Sequence, residues 1–261
     1  MSLIILISLC IVQGLTEFLP ISSSGHLLLF EQLFGFKENL LLLNLFLHLA
    51  TVLAVIIVYR KILWKLIKKP FQPLTYKLAI STTITVLFAA AYNIFDINDF
   101  VPKLYGFCFL ITAVLLLATH FFQKKSAVVK LNNEINLNSS IVVGIVQGFA
   151  VLPGLSRSGS TISSLILCGN DEESAAEYSF LLSIPIIVGG FIVELISGGG
   201  EIVSSAIIPL YYYVIAFLTT FAVSIASLKL TIKLLKKNKF IFFAIYLLFI
   251  SIFVLIFNFI I

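Results

Sequence analysis

Apolar residues run through this chain in blocks too long and too continuous for the one-sided stripe of a surface helix. Six blocks, at about 41 to 59, 75 to 95, 104 to 122, 175 to 195, 206 to 228 and 240 to 261, each approach the roughly 20 residues that an α-helix needs to cross a hydrocarbon core. Two further apolar segments, 1 to 36 and 139 to 170, are each broken in the middle by a short polar stretch that carries Pro and Gly. Only helices and closed barrels satisfy their backbone groups inside a bilayer, and these blocks are too long for barrel strands. The expected class is therefore an all-α polytopic membrane protein.

Polar positions between the blocks set the orientation. Arg60, Lys61, Lys65, Lys68, Lys69 and Lys77 follow the first block, and Lys124, Lys125 and Lys130 follow the third. Lys229, Lys233, Lys236, Lys237 and Lys239 lie between the last two. The bias of Lys and Arg toward cytoplasmic loops assigns these connections to the cytoplasm, and the poorly basic ones, Asp96 to Lys103 and Glu194 to Glu201, to the outside. If the blocks alternate in this way, segment 1 to 36 begins and ends outside, and segment 139 to 170 begins and ends on the cytoplasmic side. The sequence thus predicts an inverted-topology repeat with six transmembrane helices and two re-entrant helical hairpins that enter from opposite faces. Its halves are 1 to 122 and 139 to 261, joined by a polar cytoplasmic linker at 123 to 138. The first apolar run lacks a basic n-region and leads straight into a polar motif, so no cleavable signal is expected.

The two interruptions are related. Gln13 to Leu27 reads QGLTEFLPISSSGHL and Gln147 to Thr161 reads QGFAVLPGLSRSGST, so that Gln, Gly, Ser, Ser and Gly recur at a constant offset of 134. Agreement without gaps is the mark of an internal repeat. Glu17 and Arg157 are the charges set deepest in apolar sequence. An ionised side chain at the centre of a membrane helix costs about 2.5 to 3.5 kcal/mol on insertion scales, so such residues default to a functional reading.

In each copy a proline ends one helix, and serines with glycine suit a turn that opens the next. Two helix N-termini facing each other offer unpaired N–H groups and positive dipole ends to an anion. Ser22, Ser24 and Gly25 from one copy, with Ser156, Arg157, Ser158, Gly159 and Thr161 from the other, make up a phosphate or diphosphate site. Glu17 beside that cradle would repel a phosphate, unless it holds a divalent cation such as Mg²⁺ or acts as a base. His26 is then a candidate nucleophile, or the acid that protonates the leaving group. These components fit phosphoryl transfer.

Composition agrees with the block pattern: 60% of residues are hydrophobic, 11% are charged and the mean hydropathy is +1.13, far from a soluble domain. The net charge of +5 sits at the ends of apolar blocks, which is the positive-inside signature and not a nucleic-acid surface. Membrane lipids, anionic headgroups included, are the expected neighbours. Cys10, Cys108 and Cys168 show no pairing or metal-like spacing and are read as packing residues. Asn44, His48 and Thr51 share one helix face, with His48 read as a hydrogen-bonded packing residue. His120 is placed at a cytoplasmic helix end, and Asp171, Glu172 and Glu173 at a helix N-terminus. Tyr59, Trp64 and Tyr211 to Tyr213 are read as interfacial anchors.

The motifs resemble those of the membrane-embedded undecaprenyl-diphosphate phosphatase family of the bacitracin-resistance type. The resemblance covers nearly the whole chain and rests on Gln13-Gly14-Leu15-Thr16-Glu17 as the acidic motif, Pro20 to His26, and Pro153 to Thr161. It implies release of phosphate from a C55 polyprenyl diphosphate, recycling that carrier for cell-envelope synthesis, in the plasma membrane with the site open to the outer face. It implies Glu17 as the metal- or water-handling carboxylate, His26 and Ser23 as competing nucleophiles, and Arg157 with Ser156 and Thr161 as a diphosphate clamp. A divalent cation, Mg²⁺ or Ca²⁺, would be held by Glu17 and Gln13. Gln13 stands where many members carry Glu, so it can coordinate but cannot act as a base. A homodimer is compatible with the resemblance. The phosphatidic acid phosphatase type 2 superfamily shares an SGH element, but its Lys-rich first motif and its His five residues after SR are both missing here. The alternative reading is a transporter or flippase for a phosphorylated lipid, using the same anion cradle.

Overall fold

The computed structural model describes residues 2–35, 40–94, 101–126, 134–197 and 208–260. Among the described residues it is all helical, with eleven helices and no strand. In chain order these are α1 (Leu3–Thr16), α2 (Ser23–Leu33), α3 (Leu41–Val58), α4 (Arg60–Lys68), α5 (Pro73–Ile94) and α6 (Val101–Ser126). There follow α7 (Leu137–Phe149), α8 (Arg157–Leu167), α9 (Glu172–Ser197), α10 (Leu210–Leu235) and α11 (Phe240–Ile260). Six of them, α3, α5, α6, α9, α10 and α11, are long and apolar enough to cross a membrane. They coincide with the six apolar blocks. The largest difference is α10, which continues through Lys229 and Lys233 to Leu235. A helix does not stop where hydrocarbon ends, because its own hydrogen bonds hold it in water as well.

The basic stretch after α3 is itself a helix, α4, in which no residue is buried and Trp64 is 59% exposed. Tyr59 and Tyr213 depart from the anchor expectation: both are buried, Tyr213 against Phe46 and Tyr59 against Phe180. Cys10 and Cys108 are buried, whereas Cys168 is exposed just past the end of α8. Asp171 does cap a helix start, its Oδ1 accepting the N–H groups of Glu173 and Ser174 at 3.0 and 2.9 Å. His120 meets Asn238 Oδ1 at 3.0 Å, in the turn between α10 and α11. Of the expected connections, residues 96–100, 198–201 and the linker portion 127–133 lie outside the described residues.

Two short apolar helices, α1 and α7, of 14 and 13 residues, do not reach spanning length. Each runs into a break and then an 11-residue helix, α2 or α8. The starts of α1 and α7, and both ends of α2 and α8, fall at the same offset of 134 seen in the sequence. The α1–α2 pair packs on α3 and α10, while the α7–α8 pair packs on α5, α6 and α9. Helix α8 is buried from Ser158 to Ile166 although five of those residues carry hydroxyls. Three of these hydroxyls return to backbone or to a neighbour, Ser158 donating to the Leu19 carbonyl at 3.0 Å, Ser164 to the Thr161 carbonyl at 2.9 Å and Thr161 meeting Ser179 at 2.6 Å, while Ser163 Oγ is buried without a hydrogen-bond partner.

The two breaks touch. A methyl group added to Gly25 would lie 2.5 Å from the Phe109 ring and 2.8 Å from the Gly154 backbone, closer than such atoms approach. Gly154 itself has φ +88, and a side chain there would run into the Tyr105 carbonyl oxygen. Alanine is the better helix former by up to about 1 kcal/mol, but overpacking costs about 1 to 3 kcal/mol, so the clash wins. Gly25→Ala is therefore expected to lower the melting temperature and, by separating the breaks, to cut activity. An unchanged melting temperature would mean that the two breaks do not pack this tightly.

Candidate active site

The first break begins where α1 ends and closes at Ser22, which caps α2. Ser22 has φ 69 and ψ 100, a conformation that costs a residue with a Cβ and that concentrates at functional turns. Its hydroxyl accepts the Gly25 N–H at 3.3 Å and lies 3.5 Å from Ser24 Oγ. The second break repeats this arrangement with Ser156 in ordinary extended geometry. Ser156 Oγ accepts the Gly159 N–H at 3.0 Å and lies 3.4 Å from Ser158 Oγ. The sequence repeat is thus also a repeat of hydrogen bonds.

Cross-links between the breaks bring the charged residues together. The Ser158 hydroxyl donates to the Leu19 carbonyl at 3.0 Å. Arg157 Nη2 donates to Glu17 Oε1 as a buried ion pair, with Glu17 only 6% exposed. Glu17 Oε2 takes two further donors, Gln13 Nε2 at 3.0 Å and the Ser23 hydroxyl at 2.5 Å. A carboxylate buried this deeply is sustained by such charge-assisted bonds. The second terminal guanidinium nitrogen, Arg157 Nη1, is buried without a hydrogen-bond partner. A missing partner at a cationic donor favours an anionic ligand.

Glu17, Ser22, Ser23, Ser24, Ser156, Arg157 and Ser158 line one cavity of about 230 Å³. Polar residues outside the expected site set also line it, among them Thr85 of α5, Gln147 of α7 and His48 of α3. His48 Nδ1 is 2.7 Å from the Asn44 carbonyl, which fixes a proton on that nitrogen, and Nε2 lies 3.9 Å from Glu17 Oε2. The i, i+4 spacing of Asn44 and His48 was visible in the sequence, but not which way the face turns.

Other expected site residues stand behind the cavity wall. Thr161 is fully buried, bonded to the Arg157 carbonyl at 2.8 Å and to Ser179, so it braces α8 and does not reach the cavity. Gly25 and Gly159 serve the close approach of the breaks, Gly159 facing the Pro20 carbonyl. His26 is 4% exposed with both ring nitrogens engaged, Nδ1 with the Ser22 carbonyl and Nε2 with Tyr246 Oη, each at 2.7 Å. Since Nδ1 can only donate to a carbonyl, Nε2 accepts the tyrosine O–H. The imidazole also stacks on the Tyr246 ring, 5.7 Å between centroids, and meets Phe109 edge-on at 5.2 Å.

Tyr246→Phe removes one hydrogen bond, so it should cost about 1 kcal/mol of stability and lower turnover by less than about tenfold. A loss as large as that caused by removing Ser23 would instead put His26 in the chemistry.

Among the described residues no three His, Cys, Asp or Glu side chains come together to hold a metal ion by themselves. What the chain offers is one carboxylate, Glu17, and the amide oxygen of Gln13, which is buried without a partner. Such a donor set suits Mg²⁺, an ion that takes most of its ligands from phosphate oxygens and water. The residues thus fit a cation that arrives with a diphosphate.

The family described as bacitracin resistance protein BacA matches residues 6–253. The chain is 37% identical over 237 residues to a protein named undecaprenyl-diphosphatase from Carboxydothermus hydrogenoformans, covering 90% of each chain. It is 38% identical over 247 residues to the undecaprenyl-diphosphatase of Halothermothrix orenii, covering 92% of each. It is 36% identical over 256 residues to that of Methanococcus vannielii, covering 95% of this chain and 98% of the other. On a match of that length, with the six apolar helices and the paired breaks it contains, the chain belongs to the bacitracin resistance protein BacA family, and it is a multi-pass membrane protein.

Proposed function

We propose that this protein is a membrane-embedded phosphatase that hydrolyses undecaprenyl diphosphate to the lipid monophosphate and inorganic phosphate, recycling the carrier for cell-envelope synthesis. One observation carries the chemistry: the Ser23 hydroxyl donates into the Glu17 carboxylate, beside an Arg157 that still has a free donor, in one cavity. The substrate class is supported by the names of the relatives. A carrier protein needs the clamp but has no use for a hydroxyl aligned on a base.

The terminal phosphoryl group sits between the N-termini of α2 and α8, held by Arg157 and by the hydroxyls of Ser22, Ser24 and Ser156, while Ser158 ties the two breaks together through the Leu19 carbonyl. Ser23 Oγ attacks the terminal phosphorus while its proton passes to Glu17. The bond from that phosphorus to the bridging oxygen breaks, and the lipid monophosphate leaves with the proton. Water then attacks the phosphoserine and gives a proton to Glu17, which returns it to Ser23 Oγ as phosphate departs. His26 acts as a positioning residue, holding the Ser22 carbonyl and so the turn that aims Ser23. A divalent cation bound with the substrate, against Glu17 and Gln13, would neutralise charge on the phosphate oxygens.

The matched ends of α1–α2 and α7–α8, together with the lysine-rich connections, support two re-entrant hairpins entering from opposite faces, 1 to 36 and 139 to 170, in halves 1 to 122 and 139 to 261. On that orientation α5 and α9 both end outside, which puts the plasma-membrane site within reach of the outer face. The test is phosphate release by the purified protein from undecaprenyl diphosphate, with one lipid monophosphate formed per phosphate. Headgroup movement across liposomes with no phosphate released would overturn the phosphatase and favour a flippase.

A further inference from the structure

Gln147 is the counterpart of Gln13 at the offset of 134, but the two amides are anchored differently. Gln13 Nε2 donates to Glu17, four residues on, at 3.0 Å. The residue four after Gln147 is Val151, and neither α7 nor α8 contains an acid for this amide to meet. Gln147 Nε2 turns instead to Thr85 Oγ1 of α5, at 3.0 Å. The Thr85 hydroxyl decides which end of the amide faces it. That hydroxyl lies 2.9 Å from the Ser81 carbonyl and 3.2 Å from the Gly144 carbonyl, which only accept, so its one proton is spent and it offers Gln147 a lone pair. The amide nitrogen is therefore the donor. Oε1 is left as a buried acceptor without a partner, on a side chain 1% exposed. Thr85 and Gln147 both line the cavity that holds Glu17, Ser23 and Arg157.

Among the described residues that line this cavity, two buried side-chain atoms lack a partner, and they suit opposite guests. Arg157 Nη1 is a donor and takes a phosphate oxygen. Gln147 Oε1 is an acceptor, so a phosphate oxygen, an acceptor too, would leave it unpaired. A divalent cation prefers charged oxygens, and no acid stands beside this amide in α7 or α8. Of the reactants, water remains. We infer that Gln147 Oε1 holds the water that attacks the phosphoserine, accepting one of its hydrogens so that a lone pair of the water oxygen is aimed at phosphorus. This rests on the phosphoserine step proposed above. The water oxygen bonds to phosphorus, the bond from phosphorus to Ser23 Oγ breaks, and the other water proton passes to Glu17 and on to Ser23 Oγ. The amide itself takes no proton; a neutral glutamine can orient an attacking water without acting as a base. Thr85 is a positioning residue that acts through Gln147.

The experiment has two arms. In the first, Gln147→Leu and Thr85→Val are mixed rapidly with undecaprenyl diphosphate, and lipid monophosphate, free phosphate and acid-stable phosphoenzyme are each followed in time. Leucine is close to glutamine in size and removes the unpaired oxygen, so Gln147→Leu should melt no lower than wild type. It is expected to form about one lipid monophosphate per protein molecule at the wild-type rate, and then to stall as phosphoenzyme. Its kcat should fall about 10²-fold, the scale of a misplaced reactant. KM should fall in step, leaving kcat/KM unchanged, because that ratio reports only the steps up to loss of the lipid monophosphate. Thr85→Val should show the same signature more weakly. A fall in kcat/KM with no burst and no phosphoenzyme build-up, or recovery of kcat on raising Mg²⁺, would overturn the assignment. The second arm is a crystal structure of the wild-type protein grown with orthovanadate. A water or vanadate oxygen within hydrogen-bond distance of Gln147 Oε1 is expected; a cation, another group or nothing there would overturn it. Wild-type protein that releases no phosphate defeats the phosphatase reading, while the second arm still decides what Gln147 holds.

Discussion

Ser23→Ala is expected to lower phosphate release from undecaprenyl diphosphate by about 10⁴-fold or more, the scale of removing a nucleophile from an enzyme of this kind. The reason is geometric: the Ser23 hydroxyl is the one that donates to Glu17, at 2.5 Å, inside the cavity shared with Arg157. Stability should change little, because Ser23 is partly exposed and Glu17 keeps its bonds to Gln13 and Arg157. A chemical signature accompanies the rate. Quenching turnover on labelled substrate in acid should trap a phosphate ester that survives acid and is released by alkali, as phosphoserine is. An acid-labile phosphoenzyme, or a Ser23→Ala variant within tenfold of wild type, would move the attack to His26 or to water.

Arg157→Ala should be almost as damaging, at roughly 10³-fold in kcat/KM, the range seen when an arginine that neutralises a transferring phosphoryl group is removed. This substitution alone is ambiguous, since it also strands the buried Glu17 without its counter-charge, an imbalance that costs about 3 to 5 kcal/mol. The double variant Glu17→Gln with Arg157→Ala separates the two effects. It removes both charges, so the melting temperature should return toward wild type while activity stays lost. Arg157→Lys, which keeps the charge but not the fork, should fall by about 10²-fold. Near-normal turnover in Arg157→Lys would mean that only the charge matters and that the free Nη1 is not a ligand for phosphate.

Much of this was legible because membranes narrow the choices. Five of the six apolar blocks matched their long helices to within about four residues at each end, since each must cover the same thickness, and only α10 ran well past its block. The offset between Ser22 and Ser156 gave the paired breaks, and the depth of Glu17 and Arg157 in apolar sequence marked both for a functional reading, without saying that they would bond to each other. The rest depends on how helices rotate against one another, which no local pattern records. Nothing around Tyr246 says that its hydroxyl will cap His26, 220 residues earlier. His48 reads as packing because a lone histidine in a span is most often a hydrogen-bonded core residue, and Thr161, which the resemblance implies as part of a diphosphate clamp, faces Ser179 instead. Helix α4 is not legible as a separate element because its nine residues carry Arg60, Lys61, Lys65 and Lys68 and bury none of them, so no span-length apolar run marks it.

Glu17 and Arg157 stand 140 residues apart, and this separation has a consequence for how the protein is made. A ribosome adding about 5 to 20 residues per second finishes Arg157 roughly 7 to 30 seconds after Glu17. Throughout that interval the nascent first half carries its acid without the base that completes it. The unfinished chain can neither grip a diphosphate nor cleave one, although Gln13 and Ser23 of the same half already donate to the waiting carboxylate.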